Sequence, residues 1–207
     1  MTDTKDNLLD AAEFLFGECG YTATSLRQII ARAHANLASI HYHFGSKQAL
    51  LEKVILRKVG PINEQRLNLL DQFELEAAPL PVSIDKLVEA VILPAMLIDQ
   101  DRQFVKFMGR MHSEGLLPEI SRRLFQPLIS RFLAAARRAC PEITMEDLVW
   151  KIHFMVGAMA HTLLIRPEAY PELAPESQLT IARRLIAFVS WGFRAPAVVE
   201  NEVEVSR

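Results

Sequence analysis

Residues 36–43 read Asn-Leu-Ala-Ser-Ile-His-Tyr-His. Asn36, Ser39, His41, Tyr42 and His43 donate or accept hydrogen bonds, and Tyr42 adds an aromatic surface. Leu37 and Ala38 can touch a thymine methyl, while Ile40 and Phe44 are the obvious inward anchors. A helix this short buries little apolar area, so an outward face this polar and aromatic calls for a partner. The chemistry it fits is contact with base edges and phosphates in a DNA major groove.

Catalytic alternatives find less support. Ser83-x-x-Lys86 matches a hydrolase motif formally, but no other part of that motif is present, and Ser83 reads better as the cap of a helix starting at Ile84. His41-x-His43 would put its rings on nearly opposite sides of a helix, which is poor metal geometry. No HExxH, CxxC, Walker loop or GxGxxG occurs. The expectation is a non-enzyme with no cofactor and no metal.

Charge agrees with a nucleic-acid surface once it is read locally. The 207 residues carry a net charge of -2. Residues 1–24 hold Asp3, Asp6, Asp10, Glu13 and Glu18 against Lys5 alone. Residues 25–58 hold Arg27, Arg32, Lys47, Lys53, Arg57 and Lys58 against Glu52, a local charge of +5. Such a surface attracts phosphate while the rest keeps the protein soluble. Cys19 and Cys140 are expected to be two reduced thiols. The first residues are polar, and the longest apolar run, 91–98, has 8 residues and contains Pro94. Neither a leader nor a membrane span is expected, so the protein is placed in the cytoplasm with no membrane partner.

The elements that must hold the DNA-facing residues are helical, because apolar positions recur at helical spacing and no strand alternation appears. Leu8, Leu9, Ala12, Leu15 and Phe16 form one stripe over about 5–18, stopped near Gly20. Ser25-x-x-Gln28 reads as a capping box opening a helix to about His34. Asn36 caps a third helix through Phe44, Gly45 stops it, and Ser46 caps a fourth that runs to a break at Gly60-Pro61. Further helices are expected near 62–75, 84–99, 101–113, 119–139, 144–166 and 176–194. The fold class is all-α with nine to ten helices. Residues 1–50 are read as a DNA-binding domain, 51–195 as a helical ligand-binding and dimerisation domain, and 196–207 as a tail that frays.

Two capped helices joined by the three-residue turn 33–35 must cross steeply, which is helix-turn-helix geometry. The second can enter a major groove while the first crosses the backbone. Residues 8–58 resemble the DNA-binding domain of the TetR family of repressors. The resemblance rests on the amphipathic first helix, Gly20-Tyr21-x-x-Thr24-Ser25-x-Arg27-x-Ile29, the alanine-rich turn, and Ile40-His41-Tyr42-His43-Phe44-x-Ser46-Lys47. It implies that Arg27 and Lys47 contact phosphate, with Ser25 in the same set. It also implies that Leu37, Ala38 and Ser39 face base edges, and that His41, Tyr42 and His43 contact phosphates, sugars or bases. Two positions depart from the family pattern. His34 stands where the turn usually has Gly, and a histidine tolerates the left-handed conformation better than most residues. His41 stands where Tyr is frequent.

A single head of this kind binds weakly, so a homodimer on a palindromic double-stranded DNA operator is expected. The last two long helices, around 148–165 and 179–193, are apolar around more of their circumference than one neighbour needs, and they are expected to form the dimer face. In the TetR family those helices build a four-helix bundle across the dimer. A small apolar effector is expected to touch Phe104, Phe107, Met108, Met111, Phe125, Phe132, Trp150 and Phe154, side chains suited to an adaptable site or equally to ordinary core. Arg110, His112 and Glu114 could anchor its polar end or form a solvated edge. The segments 109–114, 122–129 and His153-Phe-Met-x-Gly157-Ala158-x-x-His161-Thr162 resemble the C-terminal domain of PsrA-type regulators, which implies a fatty acid or acyl-CoA effector. The function so read is a repressor released by its effector through a two-state shift, with the fourth helix as the lever. The alternative is a DNA-binding regulator whose body takes a protein partner or activates.

Overall fold

The computed structural model describes residues 4–97, 102–164 and 176–196. Among them are ten helices and no strand: α1 (Thr4–Cys19), α2 (Leu26–Ala33), α3 (Leu37–His43), α4 (Lys47–Ala77), α5 (Ile84–Leu97), α6 (Arg102–Ser113), α7 (Leu117–Leu124), α8 (Gln126–Ala139), α9 (Met145–Leu164) and α10 (Gln178–Arg194). The architecture is all-α, as the periodicity requires. The expected tail lies outside the described residues apart from Pro196.

The expected number of helices is right, but two boundaries differ in compensating ways. The break at Gly60-Pro61 does not occur, and α4 runs through it for 31 residues. Pro61 has no amide to give the Arg57 carbonyl. Buried Val54 and Ile55 before it and Ile62 after it hold the helix across the missing bond. The single helix expected over 119–139 is instead two. Pro127 stands in the first turn of α8, where its missing N–H costs nothing. The chain starts again there, with the Phe125 carbonyl accepting from Ile129 N at 2.9 Å.

The helix starts follow the capping residues. Ser25 Oγ accepts from Gln28 N at 3.3 Å, and Ser25 N donates to Gln28 Oε1 at 2.7 Å. Asn36 Oδ1 accepts from Ser39 N at 2.9 Å, and Ser46 Oγ from Ala49 N at 3.1 Å. Ser83 Oγ accepts from Lys86 N at 3.4 Å, so that serine caps α5. The Lys86 ammonium is 2.9 Å from Glu89 and lies over the Phe73 ring.

The chain packs as two compact units. Among the described residues, the first contains 4–69, 97 and 102–131, and the second 70–96, 132–164 and 176–196. In the first, Leu8, Ala12 and Phe16 of α1 meet Ile29 of α2, Ile40 of α3, Leu50, Val54 and Ile55 of α4, and Phe107 and Met111 of α6. Burying one such large side chain stabilises by about 1.5–3 kcal/mol. Ions tie α4 to α1. Arg57 donates to Asp10 and to Glu13 at 2.7 Å each, and Lys58 lies 3.3 Å from Glu13. Burial pulls the Arg57 guanidinium down, but its hydrogen bonds to the two carboxylates outweigh that and leave it above its ordinary value. In the second unit, Leu70 and Phe73 of α4, Leu87, Val88 and Ile92 of α5, Ala135 and Ala136 of α8, Leu148 and Met155 of α9, and Leu185, Val189 and Phe193 of α10 are buried.

His34 closes α2 at φ 51°, ψ 38°. Ala35 N donates to the Ile30 carbonyl at 3.1 Å, which completes a Schellman-like end. An L-residue in this region carries a cost of about 1–2 kcal/mol that glycine avoids. His34→Gly is therefore expected to raise the free energy of unfolding by about 1 kcal/mol, measured by urea denaturation. A loss of stability would mean the imidazole makes a contact worth more than the strain.

Candidate nucleic-acid interface and effector site

α3 presents the surface its sequence promises. Ile40 is fully buried and Phe44 is 8 % exposed, while Leu37 is 52 % and Tyr42 86 % exposed. Asn36, Ala38 and His41 are exposed, and Ser39 and His43 half-buried. The Tyr42 and His43 rings meet edge-on at 5.0 Å. His41 Nδ1 lies 3.2 Å from the Gly45 carbonyl oxygen, which leaves Nε2 for an outside partner. Asn36 Oδ1 is occupied by the backbone N–H and hydroxyl of Ser39, so its amide nitrogen is the group left to donate. Ser25 and Arg27 stand exposed at the start of α2.

The basic flank is smaller than the charge count suggests. Arg57 and Lys58 turn inward to Glu13 and Asp10. The Arg32 guanidinium lies 3.5 Å from the centre of the Phe14 ring. Arg27 and Lys53 are exposed, and Lys47 half-buried. Lys47, first residue of α4, holds its ammonium 4.3 Å from the centre of the Tyr21 ring. Burial lowers its pKa from the ordinary lysine value, and the charge of Glu114 works against that shift.

The turn between α1 and α2 is held by residues far away in sequence. Thr24 is buried, and its hydroxyl donates to the Gly20 and Leu15 carbonyls at 2.6 and 3.2 Å. α6 lies along α1. Gln103 Nε2 donates to the Phe14 carbonyl at 3.3 Å and Arg110 to the Glu18 carbonyl at 3.2 Å. Lys106 is 2.6 Å from the Glu18 carboxylate. A Cβ at Gly17 would fall 2.8 Å from Gln103 Nε2 and 3.4 Å from Phe107 N, so the two helices approach closely at a glycine. Arg110, and Glu114 by accepting from the Tyr21 and Thr22 amides, thus face α1 and its following turn rather than a pocket mouth. Nothing in their spacing could have shown this.

The eight side chains expected around an effector do not converge. Phe107 and Met111 are fully buried in the first unit, where Phe107 packs at 6.5 Å from Phe16 and 5.9 Å from Phe104. Phe104, Met108 and Phe125 lean on the same core. Of the two expectations for the α6 stripe, an adaptable site or ordinary core, its packing matches the core: the i, i+3, i+4, i+7 pattern is the face that docks on α1. In the second unit, Phe132 lines an apolar pocket of about 30 Å³ together with Val88 and Val91 of α5, Ile152 and Met155 of α9, and Phe193 of α10. Trp150 and Phe154 are 53 % and 64 % exposed and stack at 5.7 Å. With Phe188 and Trp191, at 71 % and 72 %, they give α9 and α10 an aromatic surface. Phe154 and Phe188 also border a groove of about 250 Å³ between those helices. Lys151 at its edge donates to the Gly192 and Ala195 carbonyls at 2.9 Å each and so caps α10.

Comparison with known proteins bears on both parts of the chain. Residues 8–54 match the family model "Bacterial regulatory proteins, tetR family", and residues 89–192 match "Tetracyclin repressor-like, C-terminal domain". Over 122 residues the chain is 30 % identical to the biofilm operon icaADBC HTH-type negative transcriptional regulator IcaR of Staphylococcus epidermidis, covering 58 % of this chain and 60 % of that one. It is 36 % identical over 72 residues to the HTH-type transcriptional repressor NicS of Pseudomonas putida, covering 33 % and 34 %. The chain spans between a quarter and three-fifths of the length of the curated relatives it matches. Among solved structures, Salmonella enterica GusR superposes with a TM-score of 0.54 at 21 % identity, over 93 % of this chain and 96 % of that one.

Because Phe107 is fully buried in a packed core, Phe107→Ala is expected to destabilise the protein by about 3–5 kcal/mol. Thermal and urea denaturation check this. A loss below about 1 kcal/mol would mean the site relaxes and the α1–α6 contact is not tight.

Proposed function

The chain belongs to the TetR family of transcriptional regulators, and from that premise we propose a homodimeric, cytoplasmic repressor that leaves a palindromic operator when a small apolar effector enters the core of its second unit. It is a DNA-binding regulator and not an enzyme. The observation that carries the proposal is the exposed aromatic surface of Trp150, Phe154, Phe188 and Trp191 on α9 and α10. Scattered apolar residues on a surface are ordinary, but four large aromatics on two neighbouring helices form a patch that water penalises. A second copy covers it at the lowest cost, because a two-fold interface uses the same patch twice. Two heads then read two half-sites.

In the proposed complex α3 enters the major groove. Leu37, Ala38 and Ser39 meet base edges, and His41, Tyr42 and His43 meet phosphates, sugars and bases. Ser25, Arg27 and Lys47 hold phosphates. The effector site is centred on the pocket bordered by Phe132, whose lining is wholly apolar. An acyl chain, from a fatty acid or an acyl-CoA thioester, matches that lining. Sites for such ligands span ~300–1,000 Å³. The 30 Å³ pocket must therefore open to admit one. That coupling of opening to occupancy is what a two-state switch requires, with release set by the effector's difference in affinity for the two states. The small pocket also favours a second reading, in which the body receives a protein partner.

Fluorescence anisotropy with the protein's own upstream DNA, repeated with fatty acids and acyl-CoA thioesters, tests the proposal. Binding that falls steeply with salt and is lost with one acyl class supports it. Tight binding unmoved by the whole panel removes the lipid effector and favours the second reading. Tyr42→Ala is expected to weaken binding about tenfold with little change in thermal midpoint, since the ring is outside the core. Lys47→Ala is expected to reduce the salt slope by about one. Phe188→Glu is expected to give a folded monomer in sedimentation experiments. A stable dimer in that variant would move the interface elsewhere.

A further inference from the structure

We infer that Glu114, at the end of α6, is a positioning residue for operator binding: its carboxylate sets the turn between α1 and α2 from outside the DNA-binding segment. One oxygen, Oε2, accepts from Tyr21 N at 3.1 Å, from Thr22 N at 3.3 Å and from the Thr22 hydroxyl at 3.4 Å. A carboxylate can accept several such bonds at once, and successive backbone amides form a concave anion site. Gly20 makes room for it. Its φ is +87°, and a Cβ there would fall 1.9 Å from Glu114 Oε1.

The turn so held leads directly into the DNA-facing elements. Thr24 ties it to the Leu15 carbonyl of α1, and Ser25 is the N-cap of α2. The Tyr21 ring packs at 5.4 Å from Phe16 and carries the Lys47 ammonium, which also feels the Glu114 charge. One carboxylate thus touches, by bond or by field, the start of the helix-turn-helix and Lys47, the lysine proposed above to hold phosphate. α6 is fixed to α1 by Gln103, Lys106 and Arg110. A displacement of α6 therefore carries Glu114 with it, and the turn must follow or lose its bonds.

The experiment uses the full-length protein and a duplex that the unmodified protein recovers from a random-sequence pool. It depends on DNA binding alone, so it stands apart from the effector and dimer proposals. Glu114→Ala is expected to weaken binding about tenfold, in keeping with the loss of hydrogen bonds to a charged acceptor. The slope of log affinity against log salt should stay unchanged, because no phosphate contact is lost. Glu114→Gln keeps an accepting oxygen and should recover most of the affinity, to within about threefold. Gly20→Ala should weaken binding alone, and should cost less when added to Glu114→Ala than by itself. Helical circular dichroism identifies any variant that fails to fold, and Glu114→Gln then carries the test through exchange protection of the Tyr21 and Thr22 amides. The inference is overturned if folded Glu114→Ala binds within twofold of the unmodified protein. A salt slope lowered by about one, or strict additivity with Gly20→Ala, overturns it as well.

Discussion

The packing of α6 on α1 is the contact on which the first unit depends. Phe107 enters the space beneath Phe16, and Gly17 lets the two helices come close enough for polar side chains on α6 to reach α1 carbonyls. The Glu18 carbonyl, in the last turn of α1, has no partner within its own helix. Arg110 and Lys106, placed beside it, also complement the negative end of the α1 dipole. Apolar burial therefore supplies the stabilisation, and the polar row fixes the register.

A second constraint acts between α1 and α4. Glu13 is 4 % exposed, and a buried carboxylate is costly unless it is paired and hydrogen-bonded. Arg57 and Lys58 satisfy it, and this removes two of the six bases that the sequence places between residues 25 and 58. The surface left for DNA is consequently made of fewer full charges and more neutral hydrogen-bonding groups. Such a surface relies on shape and base-edge contact as well as on counterion release.

Aromatic and methionine side chains meet three different fates here. On α6 they close a core, around Phe132 they border a small pocket, and on α9 and α10 they face outward. The first two follow from the demand to leave water, whereas the third leaves large rings in contact with it. The three differ in what lies opposite, and that is a property of the folded chain.

The sequence by itself determined the local features. Capping at Ser25, Asn36 and Ser46, the left-handed turn at His34, and the exposed face of α3 all depend on residues within four positions of one another, where helical geometry leaves little choice. The all-α class follows in the same way from periodicity. Only the tertiary structure decided whether an apolar stripe was a core or a pocket wall, whether α4 survived Pro61, and which bases faced outward. The contacts that settle them join residues dozens of positions apart, Glu114 with Tyr21 or Arg57 with Glu13. A spacing rule reads neighbours along one helix, and it carries no information about which other helix will supply the partner.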